Sequence, residues 1–170
     1  VGCVFSENYY EARAKFIRAA QAASASLFSF EVMNSSLYTI DIAVVRGSGS
    51  GLVVLSSGVH GVEGFAGSSI QIASLAQIAE YQIKPDPTMV FIHAVNPYGM
   101  AHFRRFNENN VDLNRNALTP QARAQVDARD PNIAKYEDLS SIFNPPSAPS
   151  LVDAYLSVFL NSARAVLQFG

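Results

Sequence analysis

The sequence is poor in cysteine and in long apolar runs. Its 170 residues include one cysteine, Cys3, which excludes an internal disulfide framework and any zinc site built from cysteines. This usage fits a reducing compartment, and we expect the protein in the cytoplasm. No apolar run approaches the ~20 residues that a membrane-spanning helix requires, and the chain does not open on a signal-peptide pattern. We therefore expect no membrane partner.

Charge is also scarce. Twelve Lys and Arg residues against 14 Asp and Glu give a net charge of -2, and no long basic run is present that would neutralise phosphates. We therefore expect no nucleic-acid partner. Charged residues make up 15% of the chain, against about 25% in typical domains. This shortage predicts that part of the surface is covered by something else.

The spacing of apolar residues predicts an α/β domain. We expect these elements in order: a helix that Ser6 caps and that ends near Ala23, a hairpin of Leu27–Met33 and Tyr38–Val45 turning at Asn34–Ser36, and strands Leu52–Leu55 and Thr88–Val95 joined by a helix. The continuous apolar run Leu52–Leu55 is typical of a strand buried on both faces of a sheet. The expected fold class is α/β, with a mixed, largely parallel sheet flanked by helices.

The later part of the chain carries weaker signals. Asn96–Gly99 is typical of a turn, and Met100–Arg115 is polar, unperiodic and loop-like. Two helices are then expected, over Asn132–Ile142 and Leu151–Leu167, with a proline-rich spacer between them. The total length is that of a single domain.

His60 and Glu63 form an H-x-x-E pair, in the turn and at the start of the helix that follow the strand Leu52–Leu55. Their imidazole and carboxylate can converge on one point, and both are ligand types that zinc accepts. Glycines at three-residue spacing flank the pair and allow sharp turns: Gly58, Gly61, Gly64 and Gly67. The spacing is common by itself, and the alternative is a surface histidine beside a glutamate at a helix N-terminus.

The second polar cluster, Asp112–Asn116, ends the loop after the second strand. Arg115 offers a planar fork of donors for a carboxylate, and Asn114 adds an amide beside it. Asp112 is suited to orient the free ring nitrogen of His60. The alternative is a loop held together by Asn and Asp side chains, with solvated arginines. Because ligands collect at the carboxyl ends of strands in an α/β sheet, we expect both clusters to face one crevice.

Together the two clusters resemble the zinc carboxypeptidase superfamily. They are more similar to its deacylase-like branch, which includes aspartoacylase and succinylglutamate desuccinylase, and most similar to a poorly characterised relative of that branch. The resemblance rests on Ser57–Gly67, His93–Gly99 and Arg104–Asn116, and it spans residues 5 to 116 at least. It implies a zinc carboxypeptidase-like (phosphorylase/hydrolase-like) fold that is incomplete at the C-terminus, with residues 1–170 as the N-terminal portion of one catalytic domain.

The resemblance implies a zinc ion held by His60 and Glu63, with Asp112 supporting the His60 ring. The family also uses a second histidine ligand on a later strand. The other two histidines of this chain do not match that position. We expect His93 to be a hydrogen-bonded core histidine and His102 to be a solvated loop residue.

The resemblance also implies roles in substrate binding. Asn114 and Arg115 would bind a substrate carboxylate, and Arg105 would polarise the scissile carbonyl; Arg104 is the adjacent alternative to Arg105. The family's general base is a glutamate near the end of the domain, whereas the one glutamate in the later sequence is Glu137, which is expected in a helix. The chain is therefore expected to be a fragment, an incomplete chain or one part of a split protein.

The function expected is a zinc-dependent hydrolase of amide bonds, of the carboxypeptidase or N-acyl amino acid deacylase type. Its substrate would be a small molecule or peptide with a free carboxylate. The chain alone should be inactive and should need the C-terminal half of the domain or another chain as a partner. The alternative is a non-catalytic module that binds a carboxylate or peptide. A Ser/His/Asp hydrolase is disfavoured because no G-x-S-x-G turn occurs.

Overall fold

The computed structural model describes residues 3–130, 133, 138 and 153–169. The chain divides into two units, Val1–Asn114 and Arg115–Gly170. The first unit contains α1 (Tyr9–Ala22), β1 (Ser26–Val32), β2 (Ser35–Val45), β3 (Leu52–Ser56), α2 (Gly64–Glu80), β4 (Thr88–His93) and α3 (Pro97–Ala101). The second contains α4 (Pro120–Asp127) and α5 (Asp153–Phe169), and a 3-10 turn, Leu113–Arg115, spans the boundary.

The four strands form one mixed sheet in the order β1-β2-β4-β3. The pairs β1/β2 and β2/β4 are antiparallel, and β3/β4 is parallel. The expected α/β class and the mixed sheet flanked by helices are confirmed. The expectation of a largely parallel sheet is wrong for the described strands, because the hairpin inserts β2 beside β4 and one pairing of the three is parallel. That parallel pair is the one that the strand–helix–strand pattern predicts.

Helix α1 is capped by Asn8, two residues after the predicted cap Ser6. The Asn8 side chain accepts a hydrogen bond from the backbone N–H of Glu11, and the Glu11 carboxylate accepts one from the N–H of Glu7, both at 2.9 Å. The first bond satisfies an N–H group that the start of the helix leaves open, and the second ties the residue before the cap to the first turn. The Ser6 prediction is therefore wrong, whereas the predicted end of the helix is within one residue.

Met33 and Asn34 form the two-residue turn of the hairpin. Both have positive φ, +61° and +50°, and Val32 pairs with Ser35 across the turn. Two successive positive φ values define the type I′ turn, whose twist matches that of paired strands. The turn predicted at Asn34–Ser36 is shifted by one residue because Ser35 already belongs to β2.

The hydrophobic core lies between one face of the sheet and helices α1 and α2. Its fully buried members include Phe16 of α1, Ala43 of β2, Leu75 of α2 and Phe91 of β4. Along the second half of β2, buried and partly buried residues alternate, as expected for a strand with one covered face.

The opposite face of the sheet is apolar and partly exposed. Phe28 and Phe30 of β1 are 53% and 56% exposed, and Leu52 and Val54 of β3 are 65% and 54% exposed. The expectation that Leu52–Leu55 is buried on both faces is therefore wrong. The physical reason is that β3 is an edge strand of the described sheet, and both core helices pack on its other face.

The remaining elements differ in how well the sequence predicted them. Asn96 caps α3, so a short helix replaces the turn predicted at Asn96–Gly99. The helix predicted over Leu151–Leu167 is confirmed as α5, and α4 was not predicted. The helix predicted over Asn132–Ile142 lies almost entirely outside the described residues. Within the described part of the chain, no helix is long and apolar enough to cross a membrane.

Gly61 allows the turn after β3 to touch the backbone of α3. A Cβ at this position would overlap the carbonyl carbon of Gly99 and the amide nitrogen of Met100. Backbone atoms cannot move aside as the end of a side chain can, so a residue other than glycine would push the turn and α3 apart. The contact fixes the place of this turn on the sheet edge.

We expect Gly61→Ala to destabilise the chain by about 1–3 kcal/mol, the usual cost of overpacking a tight contact. Urea unfolding measures the change. Gly49→Ala is the matched control, because the nearest atoms there belong to the Asp86 carboxylate, which can rotate away. Equal unfolding midpoints for the two variants would show that the Gly61 contact is not tight.

His93 lies in the core, as the sequence predicts. It is fully buried, its ring stacks on Phe16 with 4.5 Å between ring centres, and its Nε2 is 2.9 Å from the hydroxyl of Ser68. Burial lowers the pKa of His93 to about 4, despite the opposing effect of the Asp41 carboxylate. The ring is therefore neutral near pH 7.

The pKa of His93 makes stability depend on pH. Because this pKa is about 4 in the folded chain and 6.5 in a free histidine, the unfolded chain binds the proton more readily between these values. The free energy of unfolding should be highest above pH 6.5 and fall by on the order of 3 kcal/mol as the pH drops towards 4.

Urea unfolding between pH 4 and pH 7.5 tests this. His93→Gln cannot titrate and should flatten the pH dependence. Parallel curves for the parent and for His93→Gln would contradict the assignment.

Candidate functional site

The parallel pair β3/β4 brings two loops to the same edge of the sheet. The pairing continues beyond the strands, because the N–H of Val95 donates to the carbonyl of Ser57 at 2.9 Å and the N–H of Asn96 to that of Gly58 at 2.7 Å. The turn that carries His60 and the segment after β4 therefore begin side by side.

The loop after α3 is fastened to the turn after β3. The N–H of Val62 donates to the carbonyl of Arg104 at 2.9 Å, and the N–H of Gly61 to that of Arg105 at 3.4 Å. These backbone bonds carry the loop back across the turn. They explain how a residue 52 positions later in the chain reaches the ring of His60.

The His60 ring lies between two carboxylates. Its Nδ1 is 3.2 Å from Oε1 of Glu63, and its Nε2 is 3.0 Å from Oδ1 of Asp112. The His60 side chain is 10% exposed and that of Glu63 is 65% exposed, so the Glu63 side of the ring faces solvent. The structure thus brings together three residues that the sequence predicts to share a crevice.

Asp112 is held by three donors. Oδ1 contacts His60 and accepts the backbone N–H of Asn114 at 2.9 Å, and Oδ2 accepts Nε–H of Arg105 at 3.1 Å. Loss of hydration raises the pKa of the Asp112 carboxyl, but the hydrogen bonds from Arg105, His60 and Asn114 outweigh it and hold this pKa below its usual value. Asp112 is therefore an anion at neutral pH.

The adjacent arginines have different surroundings. Arg105 is bound through Nε to Asp112, and its terminal nitrogens form no hydrogen bond within the described part of the chain. Arg104 instead donates from Nη1 to the hydroxyl of Tyr98 at 3.2 Å, with its guanidinium carbon 5.8 Å from the centre of that ring. This geometry favours Arg105 over Arg104 for a contact with a substrate carbonyl, which stays a prediction.

A cavity of about 360 Å³ adjoins these residues. It is lined by Ser56, Ser57, Gly58, Val59, His60, Glu63, Gly67 and Asn114. Its volume is within the range of small-molecule sites. Asn114, predicted to bind substrate, therefore shares a cavity with the predicted zinc ligands His60 and Glu63.

The metal-binding potential of the described residues is limited. Nowhere among them do three or more His, Cys, Asp or Glu side chains form a group that could hold a metal ion. The nearest arrangement is the pair of donor atoms on His60 and Glu63, with Asp112 on the other ring nitrogen. The zinc site expected at His60 and Glu63 therefore stays a prediction.

The remaining histidines do not join this site. The expectation that His102 is a solvated loop residue is wrong, because its Nε2 is 3.0 Å from the Tyr38 hydroxyl and its ring centre is 4.3 Å from that of Tyr98. His93 and Ser68 form a hydrogen-bonded pair, but both are buried, so this pair is closed to a substrate.

Two further predicted residues stay untested. Arg115 ends the 3-10 turn with an exposed side chain and is the first residue of the second unit, so its pairing with Asn114 on a substrate stays a prediction. Glu137 lies outside the described residues.

Sequence analysis does not single out Gln71, which the structure places behind the site. It is 2% exposed in the middle of α2. Its Nε2 donates to the carbonyls of Leu55 at 2.8 Å and Ile92 at 3.1 Å, and its Oε1 accepts from the Ser57 hydroxyl at 2.9 Å. The available signal is a glutamine among the Ile, Leu and Ala residues of an apolar helix, which also carries Gln77.

A comparison with protein families identifies the family of this chain. A family model described as "Protein of unknown function (DUF2817)" matches residues 5–165, which include the turn with His60 and Glu63 and the segment Asp112–Arg115. No curated protein matches the chain. Because the family match covers nearly the whole sequence, the chain belongs to the DUF2817 family.

Proposed function

We propose that this protein carries part of the active site of a zinc-dependent hydrolase of amide bonds, of the carboxypeptidase or N-acyl amino acid deacylase type. The observation that supports the proposal most is the His60 ring between Glu63 and Asp112, beyond the carboxyl ends of two parallel strands. The resemblance to the zinc carboxypeptidase superfamily supplies the roles proposed for these residues.

The donor atoms at His60 fit a cation beside Nδ1. Asp112 engages Nε2, and Nδ1 faces the Glu63 carboxylate 3.2 Å away, on the side of the ring that is open to solvent. A cation bound there would take one imidazole nitrogen and one carboxylate oxygen. His60 and Glu63 therefore fit a zinc site, as one nitrogen and one oxygen ligand.

The chain's own residues have distinct proposed roles. Zinc bound there would lower the pKa of a bound water and polarise the substrate carbonyl. Asp112 keeps His60 in the tautomer that leaves Nδ1 free. Arg105, anchored through Nε to Asp112, directs its terminal nitrogens to the carbonyl oxygen of the scissile amide. The general base is proposed to come from the polypeptide that completes the site.

A free carboxylate is the proposed recognition element of the substrate. The amide of Asn114 lines the cavity beside His60. Arg115, next in sequence, has the planar fork that binds a carboxylate with two parallel hydrogen bonds. The substrate is thus proposed to be a small molecule or peptide that ends in a carboxylate.

Two observations favour further polypeptide as a partner. The sheet face that includes Phe28, Phe30, Leu52 and Val54 is apolar and partly exposed, and charged residues make up 15% of the chain. The proposed partner is the C-terminal half of the domain or another chain, and the chain alone is expected to be inactive. The alternative, a non-catalytic carboxylate-binding module, is favoured by there being two proposed metal ligands rather than three among the described residues.

Zinc titration by calorimetry tests the proposed metal site. Two protein ligands leave a tetrahedral site half open, so the chain should bind zinc with micromolar or weaker affinity. His60→Ala and Glu63→Gln should each abolish this binding, and the control His102→Gln should retain it. The chain alone should not hydrolyse N-acyl amino acids.

Three results would change this assignment. Zinc binding that survives His60→Ala would place the metal elsewhere. Nanomolar affinity would require His93 or His102 as a further ligand. No binding at millimolar zinc would favour the carboxylate-binding module.

The role of Arg115 can be tested with N-acetylglycine and its amide in NMR titrations. The parent should prefer the carboxylate, and Arg115→Lys should weaken carboxylate binding about tenfold, because a carboxylate left partly unpaired costs about 1–3 kcal/mol. Binding of the amide should not change. Arg123→Lys, the same substitution in α4, is the control. If Arg115→Lys keeps the parent's ratio of affinities, Arg115 is not the carboxylate anchor.

A further inference from the structure

The buried amide of Gln71 joins the three parts of the molecule from which the candidate site extends. It belongs to α2 and donates to the carbonyls of Leu55 and Ile92, the penultimate residues of β3 and β4. It also accepts a hydrogen bond from the hydroxyl of Ser57, in the turn before His60. The Ser57 hydroxyl in turn accepts the backbone N–H of Ala94 at 3.3 Å. One side chain thus connects a helix, two strand ends and both loop starts.

We infer that Gln71 is a positioning residue of the candidate site, which fixes α2 and its preceding Glu63 against the strand end that leads to His60. The inference rests on the proposed function for the roles of His60 and Glu63. The hydrogen bonds that support it are independent of that function.

Directional bonds are needed here because apolar packing does not fix a helix along its own axis. The core contacts of α2, through Ile72 and Leu75, are non-directional. Hydrogen bonds weaken steeply when their geometry changes. The three bonds of Gln71 therefore fix the position of α2 along its own axis. Gln71 and Glu63 are about 12 Å apart along a rigid helix, so a shift at one is transmitted to the other.

A simpler role would be to satisfy buried carbonyls. The carbonyl of Ile92, however, already accepts the backbone N–H of Ser57 at 3.0 Å. The bond from Gln71 to Ile92 is therefore not required to satisfy that oxygen. What the bond adds is a connection between α2 and β4, which a positioning role explains.

The test compares Gln71→Met, which has a similar volume and no hydrogen-bonding amide, with Ile72→Val, a core substitution one residue away on the same helix. Both are made in the 170-residue chain. The first readout is the nitrogen NMR signals of the His60 ring without metal, and the second is zinc affinity by calorimetry. Unfolding midpoints are measured for both variants.

Gln71→Met should move the His60 ring signals and weaken zinc binding about tenfold or more, as the loss of groups that orient metal ligands typically does. Ile72→Val should lower the unfolding midpoint but keep both readouts at the parent values. If Gln71→Met lowers the midpoint and leaves the His60 signals and zinc affinity unchanged, Gln71 only stabilises the fold and the inference is overturned.

Two further comparisons keep the outcome clear. Ser57→Ala removes one of the three Gln71 bonds from the other side, together with the bond from the N–H of Ala94, and should also move the His60 signals. Unchanged signals would overturn the inference if Gln71→Met does not fold. Failure of the proposed function is distinguishable, because zinc binding would then be absent or independent of His60 while the metal-free His60 signals still respond to Gln71→Met.

Discussion

The parallel pairing of β3 with β4 is the constraint on which the rest of the candidate site depends. It places the carboxyl ends of both strands at one edge, and the pairing continues through the carbonyls of Ser57 and Gly58 after the strands have ended. The contacts between the two loops depend on their beginning side by side at this edge. The loop after α3 can bond to the turn of His60 because both leave the sheet within a few ångströms of each other. Asp112 then meets His60 without any regular element of its own.

The backbone of Ala94, directly after β4, has a strained conformation, and the surrounding hydrogen bonds hold it there. Ala94 has a φ of +57°, a conformation that costs an L residue roughly 1–2 kcal/mol. Its N–H is bonded to the Ser57 hydroxyl, and the next N–H, of Val95, is bonded to the Ser57 carbonyl. Net gains of about 1 kcal/mol for each such bond offset the strain. Gly58, with a φ of +71°, turns the segment after β3 beside the point where Ala94 turns the segment after β4. The two loops therefore leave the sheet together.

The sequence predicts the position of a site residue best when that residue closely follows the end of a strand. His60 and Asp112 could be predicted to meet because polar clusters after neighbouring parallel strands share an edge. The exposure of Leu52 and Val54 could not be predicted, since an apolar run indicates that burial is favourable but not which element provides it. His102 was misjudged for a similar reason, because its partner Tyr38 is 64 positions away. Gln71 was missed because its role depends on two strands at once.

The two carboxylates beside His60 are chemically similar, and their partners distinguish them. Asp112 is bonded directly to the Arg105 guanidinium at 3.1 Å, so its charge is largely neutralised within the pair. Glu63 has no such cation among its described contacts, and its side chain is 65% exposed. Under the proposed function, a cation would therefore bind at Glu63 and Nδ1 rather than at Asp112. In this interpretation Arg105 has two effects: it prevents Asp112 from competing as a metal ligand, and it keeps Asp112 available to hold the proton on Nε2. The division between metal ligand and orienting carboxylate would then be set by an arginine that touches neither the metal nor the histidine.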